Sequence, residues 1–399
     1  MRRIILIIII TTFLLLTAQV QAAEPEIEGK AAVLMDQATG RVLWSYNPHE
    51  PLPPASTTKV MTLLLALELG QPEDVATVSQ LAQSQTGSRV YLTAGEQYTL
   101  RELLYAVQLS SANDAAVVVA EHIAGSVEGF VQLMNERARE LGARNTNFVN
   151  PHGLPDPEHR ASAYDLALIA RAALEIPKFK EIITTDSYPI SWPGREEDRQ
   201  LYNKNRLFQL YEGADGVKTG YTTEAGYTFI GSATRNGQQL IAVVLGSTDS
   251  GIWSDTIALL DYGFANFSPY QLASKGEELT TLPVRYGDDV PVILAEGFNY
   301  ILTPEEKKRV VRESQLPDML VAPVAAGEVL GTLTISLAGE ELARLPLVVA
   351  TEVKRKIYTH WWFWLLVIYT PWRIRVAIRR LRRHRRRKKS MLSGHPPIK

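Results

Sequence analysis

Between Gly29 and Phe267, apolar runs short enough for strands alternate with longer stretches whose apolar residues recur at helical spacing, which predicts an α/β (α+β) domain. Residues 31–36, the pair Thr39-Gly40 and residues 41–44 read as a hairpin. A second hairpin is predicted from residues 227–233 and 239–245, joined through Arg235-Asn236-Gly237, because Asn-Gly suits a tight turn. Residues 57–69, 100–123 and 127–141 carry helix periodicity, so a helical block is expected between strands drawn from both ends of the region. Beyond Asn266 the texture changes to short β-like runs broken by Gly and Pro, and residues 275–352 are expected to form a small all-β domain.

The two ends change this picture. Met1-Arg2-Arg3, the apolar run 4–16 and the small residues ending at Ala22-Ala23 have the three parts of a secretory signal peptide, expected to occupy residues 1–23 with cleavage after Ala22 or Ala23. Near the C-terminus, residues 357–378 are rich in Trp, Tyr and apolar residues, and a basic tail, residues 379–399, follows. Trp and Tyr favour the headgroup boundary and basic residues the cytoplasmic side, so this end is expected to contact membrane lipid as an anchor, either spanning or lying in the interface. The chain body would then lie outside the cytoplasm and the tail inside.

Composition narrows the options further. At 399 residues, 46% hydrophobic and 21% charged, the chain can bury a sizeable core and divides naturally into two domains. It contains no cysteine, which excludes disulfides, thiolate metal sites and a thiol nucleophile. Residues 373–389 hold eleven Lys or Arg and no acid; subtracting them from the net charge of −1 leaves −12 for the rest, so nucleic acid is not an expected partner. The few histidines show no ligand spacing, and neither a metal nor a cofactor is expected.

Three short elements carry candidate chemistry. Pro54-Ala55-Ser56-Thr57-Thr58-Lys59 puts Ser56 at a helix start and Lys59 on the same face one turn later, where a desolvated lysine could take the serine's proton; alone, the pair also fits a helix cap followed by a surface lysine. Ser111-Ala112-Asn113 interrupts an apolar helical pattern with polar groups that need partners, either in a cleft or in a capping turn. Asp215-Gly216-Val217-Lys218-Thr219-Gly220-Tyr221 precedes the second hairpin; an edge strand there offers an ammonium and a hydroxyl to a carboxylate, and Gly220 permits close approach of a ligand.

In this order, the three elements resemble the Ser-x-x-Lys, Ser-x-Asn and Lys-Thr-Gly set of penicillin-binding proteins and serine β-lactamases. With Asn150-Pro151-His152-Gly153-Leu154, the resemblance over residues 28–350 is to the low-molecular-mass D-alanyl-D-alanine carboxypeptidases of the S11 peptidase family. It implies a DD-peptidase-like domain at residues 24–270, with an antiparallel sheet flanked by helices. It also implies a serine enzyme that removes the terminal D-alanine from a peptidoglycan pentapeptide and is acylated by β-lactam inhibitors. Ser56 would be the nucleophile, Lys59 its base and Ser111 a proton relay. Asn113 would hold the substrate's peptide carbonyl, Lys218 and Thr219 its carboxylate, and the amides of Ser56 and Tyr221 the oxyanion. His152 is assigned to loop packing. A DD-endopeptidase, a serine β-lactamase and a non-catalytic wall-binding protein are the rival readings. One departure stands out: the resemblance implies an arginine after the second hairpin, where this chain reads Gly251-Ile252-Trp253-Ser254-Asp255.

Overall fold

The computed structural model describes residues 23–392, so the signal-peptide reading lies, apart from Ala23, outside the described residues. Both predicted hairpins form and share one sheet. Strands β1 (Ala31–Asp36) and β2 (Val42–Tyr46) make the first, and Asp36 closes its turn by accepting from the Thr39 amide at 2.9 Å and the Thr39 hydroxyl at 2.7 Å.

Helix α1 (Lys59–Leu69) begins later than expected, because Ala55–Thr58 forms a tighter 3-10 turn ahead of it. The expected helix over 100–123 is two helices, α2 (Leu100–Leu109) and α3 (Asn113–Ala124). The break falls on the polar element: Ser111 takes φ +55, a conformation no helix contains. The Asn113 amide leaves the helical ladder and donates to the Ser88 carbonyl at 2.7 Å. Helices α4 (Val127–Glu140) and α5 (Ala163–Leu174) complete the block used below.

The Lys-Thr-Gly segment lies in β3 (Ala214–Thr222), and the second hairpin is β4 (Gly226–Arg235) with β5 (Gln238–Ser247). Asn236 and Gly237 both take positive φ, as a two-residue hairpin turn requires. The sheet order is β2-β1-β5-β4-β3, antiparallel throughout, so β3 is an edge strand. Helix α6 (Gly251–Asn266) follows.

Alternation along the central strands explains why they read as unbroken apolar runs. Ala31, Val33 and Met35 of β1 and Ile241, Val243 and Leu245 of β5 face a core shared with α1–α5, whereas Ala32, Leu34, Ala242 and Val244 face a second core shared with α6. Both faces are covered, so residues 31–35 and 240–245 are apolar without a break.

The chain divides into two units: residues up to 269 with 301–304, and residues 270–300 with those from 305 onward. The second unit holds a five-stranded antiparallel sheet built from β6 (Glu278–Leu282), β7 (Val290–Leu294), β8 (Val310–Gln315), β9 (Val329–Leu337) and β10 (Glu340–Val349), in the order β6-β7-β10-β9-β8. Its small core is rich in valine, including Val284, Val290, Val324 and Val349. The unit ends in α7 (Trp361–Leu392), interrupted by Pro371 and exposing Trp361, Trp364 and Ile368. Among the described residues, no single helix is long and apolar enough to cross a membrane.

Candidate active site

The 3-10 turn that carries Ser56 is held against the sheet edge. Pro54 has no amide to donate, and its carbonyl accepts from the hydroxyls of Thr57 at 2.6 Å and Thr228 at 3.0 Å. A Cβ on residue 220 would lie 2.5 Å from Thr228 Oγ1 and 2.8 Å from the Ser56 amide nitrogen, so only glycine lets β3 come this close to the serine.

Lys59 is completely buried, and its Nζ has three neighbours: Asn113 Oδ1 at 2.8 Å, the His152 carbonyl at 2.6 Å and Ser56 Oγ at 2.9 Å. Two of these can only accept, so they take two N–H bonds. The third position faces a hydroxyl, which can instead donate to the lone pair of a neutral amine. Burial first, and then the charge of Lys218, push Lys59 well below the ordinary lysine range, with Asp114 opposing. The nitrogen is therefore shaped as a base for Ser56.

The remaining residues identified from sequence converge on the same point. Asn113 opens α3, and its side-chain Nδ2 donates to the Thr86 carbonyl at 2.7 Å. Ser111 Oγ accepts from Lys218 Nζ at 3.1 Å, and Lys218 also donates to the Thr219 carbonyl. Burial, followed by the nearby Lys204 ammonium, brings Lys218 down to about 7. Ser56, Ser111, Thr219, Gly220 and the exposed Tyr221 line one cleft of about 330 Å³, a size suited to a small peptide end.

His152 contributes more than the expected loop packing. Its ring Nδ1 accepts from the Leu154 amide at 3.2 Å while its backbone carbonyl holds Lys59, and burial, then Lys59, lowers the ring to about 3. His159 is likewise buried and lowered to about 4; its ring bridges the Val149 amide and Thr58 Oγ1. Both rings are neutral braces, and neither is a proton shuttle at neutral pH.

Sequence reasoning missed four contributors. Asp114 is buried and accepts from the amides of Val90, Leu92 and Ala115, which fixes the segment bearing Ser88. Lys204 and Arg206 line the cleft, and His159, through Thr58, braces the 3-10 turn that carries Ser56. Acidic, basic and imidazole groups of this kind occur singly along the chain, and no local pattern marks them. Among the described residues, no group of three or more His, Asp or Glu could hold a metal ion.

Comparison with known proteins identifies the family. A sequence profile of the S11 peptidases, described as D-alanyl-D-alanine carboxypeptidases, matches residues 18–249, and one for the C-terminal domain of penicillin-binding protein 5 matches residues 267–355. A D-alanyl-D-alanine carboxypeptidase of Bacillus subtilis is 37% identical over 340 residues, covering 82% of this chain and 86% of its own length. One from Haemophilus influenzae is 34% identical over 358 residues, covering 86% and 90%. The crystal structure of penicillin-binding protein 5 from Haemophilus influenzae superposes with a TM-score of 0.69 at 32% identity, over 84% of this chain and 100% of that one. The fold is thus the mixed α/β DD-peptidase fold followed by a sheet-rich C-terminal domain, and the chain belongs to the D-alanyl-D-alanine carboxypeptidase family of S11 peptidases, which are hydrolases.

Proposed function

We propose that this protein is a serine D-Ala-D-Ala carboxypeptidase acting on peptidoglycan stem peptides, and that penicillin acylates it at Ser56. The carrying observation is the Lys59 nitrogen, held by two fixed acceptors with its third direction on Ser56 Oγ. Neutral Lys59 takes the hydroxyl proton as Ser56 attacks the D-Ala-D-Ala carbonyl, and the amides of Ser56 and Tyr221 receive the developing oxyanion. Lys218 and Thr219 hold the terminal carboxylate, while the second N–H of Asn113 is available to the peptide carbonyl. The Ser111–Lys218 contact supplies a route by which a proton reaches the departing D-alanine nitrogen. Water then releases the acyl group from Ser56. The DD-transpeptidase of Streptomyces K15, 29% identical over 61% of this chain, superposes with a TM-score of 0.58, so acyl transfer to an amine is the natural competitor for that last step.

The same reading extends to location. Residues 1–23 direct export, and residues 357–378 hold the protein at the membrane, with the basic tail, residues 379–399, on the cytoplasmic side. Exposed Trp361, Trp364 and Trp372, followed by the arginine-rich run, support lipid contact.

Mass spectrometry of the full-length protein in detergent, incubated with diacetyl-Lys-D-Ala-D-Ala or with benzylpenicillin, tests the activity. Released D-alanine and a penicilloyl adduct are expected, and both are expected to vanish in Ser56→Ala. Absence of both signals from folded protein would refute the acyl-enzyme assignment.

A further inference from the structure

Arg206 stands on the wall of the cleft with its Cζ 5.6 Å from the centroid of the Trp253 ring. The indole is buried, tilts against Phe229 at 4.9 Å and has no acceptor for its N–H among the described residues. Arg206 has no carboxylate partner among the described residues, although its side chain is exposed.

Its backbone, by contrast, is firmly placed. Asn203 Nδ2 donates to the carbonyls of Ile183 and Thr185, Asn203 Oδ1 accepts from the Asn205 amide, and Asn205 Oδ1 accepts from the Leu207 amide. Leu207 is fully buried one residue on. An arginine anchored at its Cα and resting on an aromatic face has given up much of its rotamer freedom before any ligand arrives, which lowers the cost of using its planar fork.

The charges around the cleft define what that fork would take. Lys204 and Arg206 line it, with Lys218 just behind, against one acid, Asp249, among the described lining residues. Lys218 is buried, already donates to Ser111 and Thr219, and is lowered to about 7, so by itself it offers an incomplete and pH-dependent charge. A guanidinium stays protonated throughout the neutral range.

We propose that Arg206, steadied on Trp253, is a specificity residue that binds the C-terminal carboxylate of the substrate peptide in a bidentate contact. This rests on the carboxypeptidase reading and deepens it: cations on two separate elements, the Asn203–Arg206 segment and β3, converge on one carboxylate.

The test compares diacetyl-Lys-D-Ala-D-Ala with its C-terminal amide, using full-length wild type, Arg206→Ala, Arg206→Lys and Trp253→Phe. Arg206→Ala is expected to lower kcat/KM for the acid about tenfold through KM, with the amide changed less than about twofold, the scale of one charge-assisted contact. Arg206→Lys recovers part of the loss, and Trp253→Phe shows a smaller loss with the same selectivity for the acid. Equal losses on acid and amide, or no loss on the acid, would overturn the proposal. If the wild type releases no D-alanine, the carboxypeptidase reading fails separately. The same ratio is then read from Ser56 acylation by benzylpenicillin and by its methyl ester, and absence of acylation would remove both ideas.

Discussion

Gly153 holds the active-site loop at a distance no other residue can match. Its φ is +86, and a Cβ built there overlaps the Ala55 carbonyl outright while lying 2.9 Å from Thr58 Oγ1. Gly153→Ala therefore carries two costs. Left-handed backbone for an alanine costs about 1–2 kcal/mol, and displacing packed backbone adds about 1–3 kcal/mol, for a total near 2–5 kcal/mol. At this domain size each kcal/mol moves Tm by about 2–4 °C, so a fall of roughly 4–20 °C is expected. The loop cannot yield without consequence, because the neighbouring His152 carbonyl holds Lys59 and the Pro151 carbonyl holds Thr62 at 2.6 Å. Acylation by penicillin should drop about a hundredfold, since misplacing a catalytic group by about 1 Å has that effect. Gly194→Ala is the control: φ is +80, but nothing lies within 4 Å, so only the backbone cost applies. Differential scanning fluorimetry and stopped-flow acylation give both readouts. If the two variants melted within about 2 °C of each other and acylated alike, the argument from close approach would be wrong.

Two pH effects follow from the buried cations and imidazoles. Lys218 is lowered to about 7, so its charge is present below that pH and lost as pH rises through it; kcat/KM for the carboxylate peptide should have an alkaline limb there. Lys204→Met removes a repelling charge and should move that limb to higher pH, and an unmoved limb would contradict the assignment. His159 is lowered to about 4, so the unfolded chain takes up a proton that the folded one refuses: stability is level above about pH 6.5 and declines as pH falls toward 4, by on the order of 3 kcal/mol. Thermal melts at several pH values should show a flatter acid limb for His159→Gln, and parallel curves would refute this.

What was legible locally and what was not can be traced to particular residues. The runs at residues 31–35 and 240–245 were readable because burial on both faces leaves no polar position within them, and Asn236-Gly237 because few residues accept positive φ twice in succession. Residues 100–123 form two helices, and the polar interruption at Ser111-Ala112-Asn113 fitted either a cleft or a capping turn; the demand that Ser111 reach Lys218, more than a hundred residues away, is invisible in a local window.

The sequence by itself determined the alternation of strands and helices and the second β-rich region, and it singled out Ser56, Lys59, Ser111, Asn113, Lys218, Thr219, Gly220 and Tyr221 as candidate positions for the chemistry. Those properties reside in local periodicity and in short spacings that one helical turn or one strand can realise. Only the tertiary structure decided what surrounds them. The depressed lysines, the His152 carbonyl that orients Lys59, the Asp114 carboxylate that holds the Ser88 segment and the pairing of Arg206 with Trp253 all depend on distant segments sharing one desolvated space. Proton affinity and hydrogen-bond direction are set by what surrounds a group in space, and chain order carries no direct record of that.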